Sequence, residues 1–298
     1  MTENGDLFVY FHICVRGNAY QSMFLEHEDI YHAIDLLGIF AREYDVIIIA
    51  YDFLSNHFHL IVKAKDPTPF MHAFRISYSR YFNFKYKSIG CVGNRSFVCI
   101  KITSDEQFIR KTIYVLRNSV RHGAEKHPYS DPFNSAKYYF QKDRKVDLSY
   151  GYYPAGKGYV LPYTSKIVPA DFMINKSGHI YPPCFLDVLE VEHCLGSYQE
   201  AMEKLSTPTE QEEKENESKD YFRYPYKDIE ISEIILRIIA PKTIQQLSDK
   251  EKLQIADKIK RKYKVAVRQL SRILGIPESS LRRLLKWSLT APSKKDSL

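Results

Sequence analysis

The stretch Phe53-Leu-Ser-Asn-His57-Phe58-His59-Leu-Ile-Val62 decides the fold prediction for the first half of this chain. The residues that flank the two histidines, Val46 to Ile49 before and Leu60 to Val62 after, are apolar and largely β-branched, which favours a strand over a helix. Residues i and i+2 of a strand point to the same face, so His57 and His59 project together while Phe58 faces the core. Two adjacent imidazoles can bind one metal ion, or they can simply occupy a half-exposed strand face. The stretch by itself leaves both interpretations open.

A second segment, residues 109–123, has the spacing of an amphipathic helix. Gly123 stands where a C-terminal helix cap is expected. Tyr114 and Asn118 are four residues apart and therefore share one helix face. A tyrosine hydroxyl and an amide oxygen beside two histidines form a candidate catalytic set. The apolar residues that define the predicted stripe are Ile109, Ile113, Leu116 and Val120.

Strand and helix signals alternate over the first 140 residues, and this pattern predicts an α+β fold. We expect a ferredoxin-like antiparallel sheet with helices on one face, the open face carrying the histidines. The region 141–205 reads as an irregular insertion or extension, and 206–225 as an acidic, flexible linker. Residues 226–298 are expected to form an all-α region.

Positive charge is concentrated near the C-terminus. The chain has a net charge of +7, and residues 241–298 contain fifteen Lys and Arg against five Asp and Glu. A local basic surplus of this kind is typical of nucleic-acid partners. The C-terminal region is therefore a candidate DNA-binding region.

The segment 267–287 has the pattern of a helix-turn-helix, with Gly275 at the turn. An ordinary helical hairpin with a basic solvent face would show the same pattern, and the segment alone does not separate the two. If the segment binds DNA, its second helix presents hydroxyls and cations suited to phosphates and base edges. These residues are Ser279, Ser280, Arg282, Arg283 and Lys286.

Cysteine content and hydropathy indicate the class of protein. The five cysteines form no Cys-x-x-Cys pair, so neither a disulfide framework nor a zinc finger is indicated. No signal-peptide pattern and no apolar run of about 18 residues is present. We expect a protein with no membrane partner, located in the cytoplasm and associated with the nucleoid.

Four ordered motifs resemble the single-tyrosine HUH transposases, and in particular the REP-associated tyrosine transposases. The resemblance covers roughly residues 7–140. Ser119 departs from the proline usual at its position. The four motifs are Arg16-Gly17-Asn18, Phe24-Leu25-Glu26, Asn56-His-Phe-His-Leu60 and Tyr114-Val-Leu-Arg-Asn118-Ser-Val-Arg-His-Gly123.

The resemblance implies a metal-dependent tyrosine DNA transposase that cleaves and rejoins single-stranded DNA. Tyr114 would attack a phosphodiester to give a 5′-phosphotyrosine, so no ATP is needed. His57, His59 and Asn118 would hold Mg²⁺ or Mn²⁺. The expected partners are single-stranded or hairpin DNA, duplex DNA through the C-terminal region, and a second copy in a homodimer. The expected DNA contacts in the first domain are Arg16, Asn18, Arg117 and Arg121.

Two alternatives belong to other functional classes. One is a domesticated DNA-binding protein that no longer transposes, although the retained His57, His59 and Tyr114 argue against it. The other is an RNA-binding module that stacks bases on sheet aromatics. This alternative calls for aromatic residues where the predicted strand has histidines.

Overall fold

The computed structural model describes residues 8–18, 21–141, 151–208, 226–263 and 265–283. These residues form a mixed α+β fold built around one four-stranded antiparallel sheet, which confirms the predicted class. The strands are β1 (Val9–Arg16), β2 (Ile47–Leu54), β3 (His57–Ala64), β4 (Val98–Ile102), β5 (Tyr152–Pro154) and β6 (Met173–Asn175). The helices are α1 (His27–Glu43), α2 (Thr68–Tyr86), α3 (Asp105–Leu116), α4 (Asn118–Arg121), α5 (Val188–Leu195), α6 (Tyr198–Ser206), α7 (Asp228–Ile239), α8 (Asp249–Lys262) and α9 (Val267–Leu274).

The main sheet has the strand order β2–β3–β1–β4, so the two histidines lie on an inner strand. Strand β3 pairs antiparallel with β2 on one side and with β1 on the other. His59 lies opposite Asp52 of β2 and Cys14 of β1. Because side chains alternate along a strand, His12 of β1 lies on the same face as Cys14. The sheet therefore gathers polar side chains from three neighbouring strands on one face.

Helices cover both faces of this sheet. Phe58 faces α2, where its ring centroid lies 5.7 Å from that of Phe74, and α1 packs beside α2. The opposite face, which carries His59, is covered by α3, and the rings of Tyr10 and Phe108 there are 4.4 Å apart. The antiparallel sheet was predicted correctly, but helices were expected on one face only. The histidine face is covered because the amphipathic α3 buries its own apolar stripe there.

The helix predicted over 109–123 is divided in two. Helix α3 ends at Leu116 and α4 begins at Asn118, with Arg117 as the cap between them. Gly123 follows α4 with a positive φ of 69°, as its predicted capping position suggests. The buried face of α3, which packs on β2 and β3, is shifted by one residue towards the N-terminus relative to the predicted apolar stripe. Its buried residues are Phe108, Thr112, Val115 and Leu116.

The region predicted as irregular packs onto the first domain. Strands β5 and β6 form a small antiparallel pair, and α5 and α6 follow. His179 contacts the buried carboxylate of Asp35 at 2.8 Å, and the amide of Asp187 donates to the Ile48 carbonyl at 2.8 Å. The described part of 141–205 is thus tied to α1 and β2.

The C-terminal part of the chain also contacts the first domain. His27 at the start of α1 lies 2.7 Å from Glu233 of α7, and the Thr243 hydroxyl donates to the Tyr86 carbonyl at 2.7 Å. Gly275 caps α9 in the left-handed conformation, and residues 278–283 are helical again. The predicted helix, glycine turn and second helix are therefore present up to residue 283. Of the predicted linker, residues 209–225 lie outside the described part of the chain.

Candidate active site on the histidine face of the sheet

The candidate site lies where β1 and β2 end and β3 begins. In the sheet register, His57 is flanked by Arg16 and Leu54. The turn after β1 is tight: the Gly17 amide donates to the Asn56 carbonyl at 2.7 Å. A Cβ at Gly17 would lie 1.9 Å from the Gln21 carbonyl oxygen, so only glycine fits this turn. Gly17 is therefore required by the local backbone.

His57 is buried and carries no charge at neutral pH. Burial, reinforced by the nearby His122, lowers the pKa of His57 to about 3. Its Nδ1 lies 2.8 Å from the Asn56 side-chain oxygen, which can only accept, so Nδ1 carries the proton. The Nε2 lone pair then points into the site, where the Asn118 amide nitrogen lies 3.4 Å away. A neutral imidazole oriented in this way can act as a metal ligand.

His59 is held by two residues of β1. Its Nδ1 lies 3.0 Å from His12 Nε2, and its Nε2 lies 3.7 Å from Cys14 Sγ. The two imidazole rings stack with centroids 5.2 Å apart. Burial lowers the pKa of His59 well below its usual range and lowers that of His12 to about 4, so both rings are neutral at pH 7.

His12 and Cys14 were not predicted as site residues. The signal for them is the alternation His12-x-Cys14-x-Arg16 in β1, which becomes informative only when the pairing of β1 with β3 is known.

Asn118 lies beside His57, on the face that the helical spacing predicts. It is fully buried, and its amide nitrogen donates to Asp52 Oδ2 at 3.0 Å. Its side-chain oxygen has no hydrogen-bond partner among the described residues. Burial, followed by the neighbouring Asp131, raises the pKa of Asp52 well above its usual range. Asp52 is a third residue of the candidate site that was not predicted from the sequence.

Tyr114 is half-buried on the same side of the sheet. Its ring meets those of His12 and His59 edge-on, at centroid distances of 5.7 and 5.5 Å. The Arg121 guanidinium lies 4.9 Å from the Tyr114 ring centroid, and Lys111 Nζ lies 5.6 Å from it. The structure thus places Tyr114 beside both a histidine pair and two cations. Tyr114 and Arg121 were predicted from the sequence as site residues, and Lys111 was not.

One family model matches the chain, over residues 8–104, and its description is "Transposase IS200 like". Residues 8–104 are similar to this family, and the match leaves the rest of the chain unassigned. The similarity supports a DNA-processing function of the transposase type. The matched segment contains His57 and His59, and it ends before Tyr114 and Asn118.

The chain also has a distant similarity to a solved structure. A solved structure entitled "Structure of the REP associates tyrosine transposase bound to a REP hairpin" is 18% identical to this chain. The alignment covers 57% of this chain and 100% of that one, with a TM-score of 0.38. No curated protein matches the chain.

The predicted DNA contacts of the first domain differ in their exposure. Arg16 and Asn18 are exposed at the end of β1, and Arg121 is half-buried over Tyr114. Arg117, by contrast, is buried, and its guanidinium donates to the Leu205 carbonyl. The expectation that Arg117 contacts DNA is not kept, because the residue ties α3 to α6.

The predicted DNA contacts in the helical segment 278–283 are mostly at the surface. Ser279, Arg282 and Arg283 are exposed, and Ser280 is half-buried. Arg282 pairs with Glu278 one turn earlier, with Nε and Oε1 2.8 Å apart. Lys286 lies outside the described residues.

The donor chemistry of the site suits a divalent cation. Two neutral imidazoles and one unpartnered amide oxygen belong to the predicted ligands His57, His59 and Asn118. In the part of the chain that the structure describes, no group of three or more His, Cys, Asp or Glu side chains is arranged to hold a metal ion. No described helix is long and apolar enough to cross a membrane.

Proposed function

We propose that this protein cleaves and rejoins single-stranded DNA by transesterification, with Tyr114 as the nucleophile. The observation that carries the proposal is the position of Tyr114 on the histidine face, with its ring 5.5 Å from that of His59. The family match over residues 8–104 supports DNA processing in general, and the site geometry supports this particular reaction.

In the first step the Tyr114 oxygen attacks a phosphodiester phosphorus and loses its proton. The bond from phosphorus to the 3′ oxygen breaks, and the leaving oxygen takes up a proton to become a 3′-hydroxyl. The 5′ phosphate is then attached to Tyr114. In the second step a 3′-hydroxyl attacks this phosphorus, and the bond to the tyrosine oxygen breaks. The number of phosphoester bonds is unchanged, so the reaction requires no nucleotide cofactor.

The residues around Tyr114 have distinct roles in this proposal. Arg121 and Lys111 place positive charge beside the ring, where a phosphate must approach. His12 and Cys14 fix the orientation of the His59 ring. Asp52 holds the amide of Asn118.

The cofactor we propose is Mg²⁺ or Mn²⁺, held by His57, His59 and Asn118. When bound, such an ion polarises the phosphate oxygens and stabilises the charge that develops on them. Asn56 keeps the His57 proton on Nδ1, which leaves Nε2 available as a ligand.

The proposed partners are single-stranded or hairpin DNA at the histidine face and duplex DNA at the exposed Arg282 and Arg283. A homodimer and a nucleoid-associated, cytoplasmic location complete the proposal. The RNA-binding alternative loses support, because α3 covers the sheet face on which bases would stack and the central residues of that face are His12, Cys14 and His59.

The test is incubation of the full chain with labelled single-stranded oligonucleotides that carry randomised hairpins and flanks, with Mn²⁺ present. The proposal predicts a shorter labelled product and a protein–DNA adduct that survives denaturing electrophoresis. Binding without cleavage or adduct, across the whole pool, contradicts the proposal and favours a DNA-binding protein that does not transpose.

A further inference from the structure

A cavity of about 530 Å³ lies between the end of the main sheet and the C-terminal helices. His57 and Arg16 form part of its wall on the sheet side. The opposite wall belongs to the start of α7 and to α9, both outside residues 8–104. The C-terminal residues that line it are Tyr226, Lys227, Asp228, Ile229, Ala266, Arg268, Gln269 and Arg272.

The C-terminal wall is fixed to the sheet end by a polar cluster. Arg272 donates twice to the Asp228 carboxylate, at 2.6 and 2.8 Å, and Ser55 in the β2–β3 turn donates to the same carboxylate at 3.3 Å. The Ser22 amide donates to the Arg272 carbonyl at 3.0 Å. Both sides of the cavity are therefore connected through one arginine. A bidentate, partly buried pair of this kind holds its geometry better than an exposed ion pair.

The lining of the cavity is suited to a nucleotide. Tyr226 is half-buried and contributes aromatic surface, which can stack on a base of any sequence, while Phe53 and Phe133 are buried in the wall behind. Arg16 and Arg268 are both exposed, and they add cations for a phosphate. The volume lies within the range of about 300–1,000 Å³ typical of pockets that bind small ligands.

We propose that this cavity binds one unpaired nucleotide of the DNA strand that flanks the scissile phosphate. Its base lies against Tyr226, and its phosphate faces Arg16 and Arg268. The inference rests on the proposed function, since His57 is shared by the cavity and the catalytic site. It makes the C-terminal helices part of the substrate site rather than only a separate DNA anchor.

The test measures affinity rather than cleavage. The full chain carrying Tyr114→Phe is titrated, in EDTA, into a fluorescent hairpin oligonucleotide selected for binding from the randomised pool. Each flanking nucleotide is replaced in turn by an abasic site. The series is repeated with the variant Ala266→Trp. Ala266 is half-buried and immediately precedes α9, so a tryptophan there should fill the cavity.

Two arginine variants form a matched pair. Arg268→Ala removes a cavity cation, and Arg261→Ala removes an exposed arginine on α8 that does not line the cavity. Both arginines belong to the C-terminal helices, and each has one acidic partner, Glu278 for Arg268 and Asp257 for Arg261.

We expect an abasic site at one flanking position to weaken binding by about five-fold or more. The same abasic site should have no further effect in Ala266→Trp. Arg268→Ala should weaken binding and reduce the salt dependence by the equivalent of about one phosphate contact, while Arg261→Ala should not. The arginine pair decides the question if Ala266→Trp fails to fold.

The inference is overturned if every abasic site weakens both proteins equally, or if Arg268→Ala and Arg261→Ala have the same effect. Because no step of this test requires chemistry, a protein that shows the abasic effect but never cleaves in Mn²⁺ contradicts only the proposed reaction.

Discussion

The amide nitrogen of Asn118 donates to the Asp52 carboxylate across 3.0 Å in the buried space beside His57. This contact joins α4 to β2, and it determines how the amide faces the histidines. A second acceptor for this group is His57 Nε2, at the longer distance of 3.4 Å. The orientation of the proposed third ligand therefore depends on Asp52.

Substitution of Asp52 tests this dependence. Asp52→Ala should leave the buried Asn118 amide without its acceptor and lower the free energy of unfolding by about 1–3 kcal/mol. Asp52→Asn, which retains an acceptor oxygen, should cost less and should also retain more cleavage. Chemical denaturation and adduct formation measure the two effects. If Asp52→Ala changes neither, the contact has no role in the site.

Removal of the proposed metal ligands should abolish cleavage without unfolding the protein. We expect His57→Ala and His59→Ala each to lower the cleavage rate by at least about a hundred-fold, and EDTA to do the same to the unmodified protein. Asn118→Ala should be milder, because water can replace a neutral amide ligand. The exposed His72 on α2 provides the control, since His72→Ala should cleave normally. Full cleavage in excess EDTA would exclude the metal role.

The buried His32 of α1 should make the protein sensitive to acid. Its ring is buried and stacks on Tyr81 at 3.8 Å, and burial, with His179 and Lys85 nearby, lowers its pKa to about 3. Between pH 6.5 and about pH 3, the His32 ring is protonated in the unfolded chain but neutral in the folded chain. The contribution of His32 to the free energy of unfolding is therefore fully present above pH 6.5 and is lost as the pH falls.

At pH 5 this loss amounts to about 2 kcal/mol for His32. The free energy of unfolding, measured by urea denaturation at pH 7.5 and pH 5, should accordingly fall less in His32→Gln than in the parent. Other histidines whose pKa is lowered by burial, among them His12, add to the loss in both proteins. The same decrease in both proteins would show that His32 is not protonated on unfolding.

The sequence predicted the fold of the first domain because its signals are local. The alternation around His57 and His59 fixed β3 as a strand, and the four-residue spacing placed Tyr114 and Asn118 on one face. His12, Cys14 and Asp52 were missed because they reach His59 only through strand pairing, and one sequence does not reveal strand register.

Tertiary packing explains the remaining differences. As an arginine on a predicted amphipathic helix, Arg117 was expected at the surface. In the structure α6 packs against α3, and the Arg117 guanidinium donates to the Leu205 carbonyl. The break between α3 and α4 has no proline or glycine to mark it. The contact between Asp228 and Arg272 joins segments 44 residues apart, so the docking of the C-terminal helices was not predictable from local pattern.

The C-terminal helices should contribute affinity. A chain truncated before residue 226 should still cleave a good single-stranded substrate at high protein concentration, but bind it more weakly and with a less steep salt dependence. In the full chain, Arg282→Ala combined with Arg283→Ala should also lower the affinity and the salt slope. Arg261→Ala with Lys262→Ala, an exposed pair on α8, is the control. Unchanged affinity and salt slope in the truncated protein and in the Arg282/Arg283 variant would identify the basic helices as a protein-interaction element.

The position of the covalent link to DNA tests the central claim most directly. Trypsin cleaves after Lys111 and Arg117, which gives a peptide, residues 112–117, with Tyr114 as its single tyrosine. After reaction in Mn²⁺ and nuclease digestion, mass spectrometry of the adduct should find a nucleotide phosphate on this peptide. Tyr114→Phe should form no adduct while binding DNA normally, and Tyr153→Phe should react like the parent. A nucleotide on another tyrosine, or an adduct that persists in Tyr114→Phe, would contradict the account.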